Sequence, residues 1–226
     1  AVGLVGGLVE YGGDARVTAG YAHHVDWLNS VLTENDIRLN RFVEAPFAHP
    51  SVMFRHALVS RFGGYRQGDF PEDYELWLRW AEAGVRLAKL PQPVVRWHDA
   101  PGRLSRTDPR YRPEAFYRLK AAYLARELAR VAGGRELWVC GAGRPTRRRA
   151  SFLEAEGVRI AGYVDVDPRK IGGAVAGRPV VGPDALPPPE RAFALGYVGT
   201  RGAREKIRAF LVRQGRCEGR DFLLAA

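Results

Sequence analysis

Apolar positions in this chain fall into short unbroken runs and longer segments where they return every three or four residues. The first kind predicts buried strand and the second amphipathic helix. A run over residues 2–10 predicts a strand ending in charge at Glu10, and a helical pattern follows over residues 19–32. The loop Phe42-Val-Glu-Ala-Pro-Phe-Ala-His-Pro50 precedes a short strand over 51–55, and His56-Ala-Leu-Val-Ser60 leads to a turn at Phe62-Gly-Gly-Tyr65. Pro71-Glu72-Asp73 opens a helix running to about residue 83. Its acidic first turn complements the positive end of the helix dipole. Short strands are expected over 85–90 and 94–97, around Pro91 and Pro93, and then a loop over 98–112 too polar to be core. A helix over 113–130 carries Phe116, Leu119, Ala122, Tyr123 and Leu128 at helical spacing, with Pro113 in its first turn.

Gly133-Gly134 ends that helix and marks the strongest boundary in the chain, dividing it into residues 1–131 and 135–226. Beyond it the pattern changes character. A strand over 136–140 runs into the turn Gly141-Ala-Gly143, a helix over 145–156 ends at Gly157, and a second strand over 158–164 closes on Asp165. Strands near 180–181 and 193–198, a helix over 201–214 and a last strand over 222–224 complete it. Strands alternating with helices predict a parallel sheet. The expected fold class is therefore α/β, a mixed α/β domain followed by a small parallel one.

Length and composition narrow the classes of function. The 226 residues are enough for one large domain or two small ones. With 46% hydrophobic and 27% charged residues, the chain is globular, neither disordered nor fibrous. No apolar run approaches the roughly 18 residues that cross a bilayer. The opening run has neither a basic leader nor a cleavage site, so it does not read as a signal peptide. The chain starts without Met inside a strand pattern, which predicts a fragment lacking an N-terminal portion. Cys140 and Cys217 stand far apart in no metal or redox spacing, which fits a reducing cytoplasm, and neither is a candidate nucleophile.

The formal net charge is +10, with 17 basic against 10 acidic residues after Gly134 and 18 against 15 before it. These charges are scattered through helical segments and are not interleaved with aromatic residues. A solvated surface is the better reading, and no nucleic-acid partner is expected.

Five blocks in the first part carry the candidate chemistry: His49-Pro-Ser-Val-Met-Phe-Arg55, Gly63-Gly-Tyr-Arg66, Glu72-Asp-Tyr-Glu-Leu-Trp-Leu-Arg79, Arg96-Trp-His98 and Arg103-Leu-Ser-Arg106. In order and spacing they resemble the acceptor half of the family 2 glycosyltransferases, over about residues 1–130. The resemblance implies a partial GT-A-type mixed α/β domain. It also implies inverting transfer of a sugar from a nucleotide-diphosphate donor to a carbohydrate or lipid-linked acceptor. Such a transfer needs a carboxylate to take the proton of the attacking hydroxyl. The resemblance places that base at Asp73, with Glu72 as its neighbour or as an acceptor ligand; without it, both would simply cap the helix.

The same resemblance puts His49, Arg55, Gly64 and Tyr65 on the acceptor side of the cleft. It puts Trp97, His98, Arg103 and Arg106 in a loop over the donor diphosphate, where arginine pairs bidentately with phosphate oxygens. Purely structural uses remain open for His49, Arg55, His98 and the glycines, as do a metal contact for His98 and a merely solvated loop for Arg103 and Arg106. Trp77 and Trp80, three apart on the helix, fit core better than sugar stacking. The resemblance also implies Mg or Mn held by an Asp-x-Asp motif before residue 1. The one such triplet present, Asp165-Val-Asp167, lies in the other part. An acceptor at a lipid surface would place the chain at the inner membrane face, and an oligomer is left open.

In the second part, Gly141, Gly143 and Arg144 at the head of a helix, with Asp165 about 20 residues on, match a dinucleotide-binding turn, although Thr146 stands where its third glycine would be. The part resembles the short Rossmann-like domains attached to sugar-modifying enzymes. Either a bound nucleotide or a scaffold role fits it. The alternative function is thus a nucleotide-binding regulatory or interaction module without catalysis. A dehydrogenase is disfavoured, because nothing near Gly141 supplies a proton donor and a substrate clamp.

Overall fold

The computed structural model describes residues 1–13, 19–98 and 102–226. The chain is α/β and forms two compact units, Ala1–Leu119 and Lys120–Ala226.

The first unit is built on a three-stranded mixed sheet. The central strand β1 (Leu4–Tyr11) pairs antiparallel with β2 (Met53–Phe54) and parallel with β3 (Leu87–Trp97). The two strands expected around Pro91 and Pro93 are one. β3 is an edge strand, where a missing N–H is tolerated, and its register against β1 slips between Gly6 and Val9, so the prolines fall in an irregular stretch of the ladder.

Helices α1 (Ala19–Ser30), α2 (Glu34–Asn40), α3 (Ala57–Phe62) and α4 (Glu72–Glu82) surround this sheet. α2 and α3 were not expected. The first is nucleated by a capping box in which Thr33 Oγ1 accepts from Asp36 N–H and Asp36 Oδ2 accepts from Thr33 N–H. The second ends on Gly63 at φ +79° and ψ 151°, a backbone conformation open to glycine and strained for other residues. The expected strand over 51–55 shrinks to β2, preceded by a 3-10 turn, His49–Ser51. Residues 99–101 of the expected polar loop lie outside the described residues; the rest folds into α5 (Leu104–Thr107) and a 3-10 turn, Pro109–Tyr111. α6 (Pro113–Val131) follows.

The core of this unit gathers Leu4, Ile37, Phe47, Leu76, Trp77, Trp80 and Leu87 from β1, α2, the 42–50 loop, α4 and β3. Trp77 and Trp80 are thus core, as their helical spacing indicated. Burying side chains of this size contributes about 1.5–3 kcal/mol each. Lys89 is also buried: its ammonium donates to Leu28 O at 2.7 Å and lies 5.4 Å from the centre of the Phe47 ring. Burial pushes its pKa down to about 8. Between that value and the ordinary 10.5 of a lysine, the unfolded chain holds a proton the folded one does not. Stability should therefore rise with pH across that window. In Lys89→Met the rise is expected to disappear, read as the difference in urea midpoint between variant and native protein across the alkaline range.

The second unit is a six-stranded sheet in the order β6-β7-β5-β4-β8-β9. Its strands are β4 (Glu136–Cys140), β5 (Ile160–Val164), β6 (Ala174–Val175), β7 (Arg178–Val181), β8 (Ala192–Gly196) and β9 (Phe222–Leu224). Helices α7 (Arg144–Ala155) and α8 (Ala203–Arg213) lie between them in sequence. All neighbours are parallel except β6 and β7. The five parallel strands, counted along the chain, lie in the order 3-2-1-4-5, so the winding reverses between β4 and β8. Val139, Leu195, Phe193 and Phe222 have at most trace exposure, consistent with strands covered on both faces.

Candidate active site

In the first unit a cavity of about 680 Å³ brings together Asp73, His49, Trp97 and Arg103 with Tyr21 and Tyr111. Four of the residues singled out in the sequence thus meet in one place, from the first turn of α4, the turn before β2, the end of β3 and the head of α5.

Asp73 is half-buried in the first turn of α4, where the helix dipole favours a negative charge. Burial nevertheless holds its carboxyl above the ordinary aspartate value; the charge of His49 and the Tyr74 N–H, which donates to Oδ1 at 2.7 Å, act against that shift. Glu72 does different work. Both of its carboxylate oxygens accept from the Tyr111 hydroxyl at 2.8 Å, which fastens the segment before α6 to the head of α4. Burial and the Glu72 charge push the Tyr111 hydroxyl pKa well up, so it stays a donor. Tyr111→Phe removes that donor and is expected to cost about 1.5 kcal/mol of unfolding free energy, read from urea denaturation.

His49 Nε2 lies 2.8 Å from the Tyr65 hydroxyl, with the two rings 5.2 Å apart. Tyr65 therefore orients His49 from outside the cavity lining. The backbone carbonyls of Gly63 and Gly64 accept from Arg79, so these glycines shape the turn that carries Tyr65. Arg55 is placed elsewhere: its Nε donates to Val2 O at 2.9 Å, tying down the start of β1.

On the other wall, Trp97 and Tyr21 meet edge to face at 6.2 Å. Arg103 lies 4.2 Å above the Trp97 ring and Arg106 4.6 Å above that of Tyr21. The aromatic pair holds both guanidinium groups by cation–π attraction. His98 is exposed and does not line the cavity. The sequence reading missed Tyr21 and His24, whose Nδ1 is 3.2 Å from Glu44 Oε1 at the same cavity. Their spacing of three on α1 was the available signal, but nothing marked the face they share as a cavity wall.

Among the described residues, no group of three or more His, Cys, Asp or Glu side chains gathers to hold a metal ion. The one Asp-x-Asp triplet does not fit the implied Mg or Mn either. Asp167 of the Asp-x-Asp triplet is committed to Arg169 at 3.0 Å, and Asp165 to the turn described next.

In the second unit Gly141 has φ +98°, and a Cβ there would lie 2.4 Å from Val198 Cγ2; no larger residue fits. Gly143 precedes the first residue of α7, Arg144, which is exposed. Thr146, at the place of a third glycine, is buried beneath the turn. Asp165 is buried too, and its oxygens are already engaged: Oδ2 accepts from Ala142 N–H at 2.7 Å and Lys170 Nζ at 3.2 Å, Oδ1 from Asp167 N–H at 2.9 Å. Those donors hold its carboxyl below the ordinary range against the effect of burial. Cys140 is buried and its thiol is pushed up to about 12, which leaves it inert.

The chain is 37% identical over 65 residues to the amylovoran biosynthesis glycosyltransferase AmsE of Erwinia amylovora. That match spans 29% of this chain and 24% of the relative. No family model matches the chain, and no solved structure does. The match supports a glycosyltransferase-like relationship. No helix among the described residues is long and apolar enough to cross a membrane.

Proposed function

We propose that the first unit is the acceptor side of an inverting glycosyltransferase of family 2, GT-A type, and that Asp73 is its base. The observation that carries this reading is the convergence of Asp73, His49, Trp97 and Arg103, drawn from four separate sequence blocks, on one cavity. The partial identity to a named glycosyltransferase supports the same reaction class.

In the step this assigns, an acceptor hydroxyl attacks the anomeric carbon of the donor sugar. The new glycosidic bond forms as the bond to the nucleoside diphosphate breaks, and the bonding pair leaves with the diphosphate. The Asp73 carboxylate takes the hydroxyl proton. Arg103, held over Trp97, offsets the charge that develops on the departing diphosphate, and Arg106 on Tyr21 stands beside it. His49, oriented by Tyr65, donates to or accepts from the acceptor. Aromatic support keeps the arginines in place before substrate arrives, so less ordering is needed on binding.

The test is donor-dependent sugar transfer by the natural full-length chain, over a panel of nucleotide sugars and carbohydrate or lipid-linked acceptors with Mg or Mn present. The expected result is product with inverted anomeric configuration from at least one donor. Failure of every donor, or a retained configuration, would overturn the reading.

A further inference from the structure

The second unit holds a cavity of about 920 Å³ that has no part in the sugar-transfer reading. It opens past the carboxyl ends of β4, β5 and β8, where the winding of the sheet reverses. Open parallel sheets take their ligands at such a crevice. Glycine keeps its floor clear. A Cβ at Gly199 would fall 2.6 Å from an Arg149 nitrogen, just as one at Gly141 would strike Val198.

The lining is apolar on one side, and around it stand four cations with two acidic residues, Asp165 and the exposed Asp184. Ile207 and Phe210 face inward from α8, and Lys206 and Arg213 stand on that same helix face, four residues before Phe210 and three after it. Arg149 and Lys170 are the other lining cations, but they are committed: Arg149 donates to Tyr197 O at 3.1 Å and Lys170 pairs with Asp165 at 3.2 Å. Lys206 and Arg213 are exposed and engage no acidic side chain among the described residues. The glycine turn offers fewer donors than such a turn ordinarily does. Its Ala142 N–H is consumed by Asp165, and Pro145 has no N–H to give. Asp165, the group that would take a ribose in a dinucleotide site, is spent on holding the turn.

We propose that this cavity binds a nucleoside mono- or diphosphate, its base against Phe210 and Ile207 and its phosphate on Lys206 and Arg213. The recognition is therefore transferred from the turn after β4 to α8, and a dinucleotide such as NAD is not the ligand. An apolar slot bounded by cations matches a molecule with a flat ring at one end and a phosphate at the other.

Isothermal titration of the full chain with AMP, ADP, GDP, UDP, NAD and inorganic phosphate tests this. One mononucleotide should bind, with NAD and phosphate each at least about tenfold weaker. The pair Lys206→Gln with Arg213→Gln, both at exposed positions, should weaken that nucleotide at least about tenfold. Phe210→Leu should weaken the nucleotide while leaving phosphate unchanged. The weakening by the double variant should be the same in an Arg103→Ala background, where the first-unit cavity has lost its own diphosphate contact, which makes the outcome independent of sugar transfer. Absence of nucleotide binding, equal affinity for free phosphate, preference for NAD, or full affinity in the double variant would each overturn the proposal.

Discussion

Asp73→Asn is expected to lower sugar transfer by about 10²–10⁴-fold, the usual worth of a positioned general base. Donor and acceptor affinities should stay within about twofold, because an amide fills the same space and keeps an oxygen to accept the Tyr74 N–H. The fall should therefore appear in kcat with KM little changed. The pH profile supplies a second readout. Burial holds the Asp73 carboxyl above the ordinary value of 3.8, so the acid limb of native activity should lie above that value. Stability should move the other way. A carboxyl whose pKa is raised in the folded state contributes stability in its protonated form, and that contribution is lost as pH rises through the folded value. At neutral pH the native protein carries this cost and the neutral amide of the variant does not, so the variant should unfold at the same urea concentration or a higher one. An inactive, destabilised variant would assign Asp73 to architecture. Native-like turnover would remove it from the mechanism.

The candidate site was legible in the sequence to the extent that its residues belong to recognisable blocks. Asp73, His49, Trp97 and Arg103 each stand in one, and they meet. Tyr21 and His24 stand in none. What makes them part of the cavity is the packing of α1 against the end of β3, a long-range contact that helical spacing does not encode. Residues in the right block could still have the wrong neighbour. Arg55 turns to the Val2 carbonyl, and Glu72 is held by Tyr111, a residue with no mark in the sequence.

The fold shows the same division. Unbroken apolar runs mark β1, β4, β5 and β8, because burial on both faces leaves no other composition. The hairpin of β6 and β7 carries no such mark, since its two-residue turn is Ala176-Gly177 and not the asparagine or aspartate with glycine that usually signals one. Ala176 takes φ +49°, the one non-glycine positive φ among the described residues. In the second unit Asp165 lies at the expected strand end, but its hydrogen bonds run to Ala142, Asp167 and Lys170. Position was readable there, and partnership was not.

Partnership also sets the second large effect, at a pair to which the sequence assigned no role. Glu75 and Arg79 lie one turn apart on α4 and are both buried, with Arg79 Nε 2.9 Å from Glu75 Oε1 and Nη2 3.0 Å from Oε2. The outer nitrogens of the same guanidinium donate to the carbonyls of Phe62, Gly63 and Gly64. One side chain thus neutralises a buried carboxylate and closes the turn that carries Tyr65, the partner of His49. Arg79→Ala should cost about 3–5 kcal/mol, because it takes the buried guanidinium away from the buried Glu75 carboxylate, and Arg66, 3.4 Å away, is largely exposed. Arg79→Lys should recover little, since a single ammonium cannot serve the carboxylate and three carbonyls in the geometry of the planar fork. The sharper test is the double variant Glu75→Leu with Arg79→Met. Removing both charges takes away the buried carboxylate that has lost its buried guanidinium, so the pair should lose less stability than Arg79→Ala alone, leaving mainly the cost of the undonated carbonyls. Urea denaturation of the three variants reads this order. If the double variant is the least stable, the pair acts as independent packing groups and the ion pair does not organise the turn. If the expected order holds, transfer activity should fall in the double variant even where it is fully folded, through a Tyr65 that no longer fixes His49.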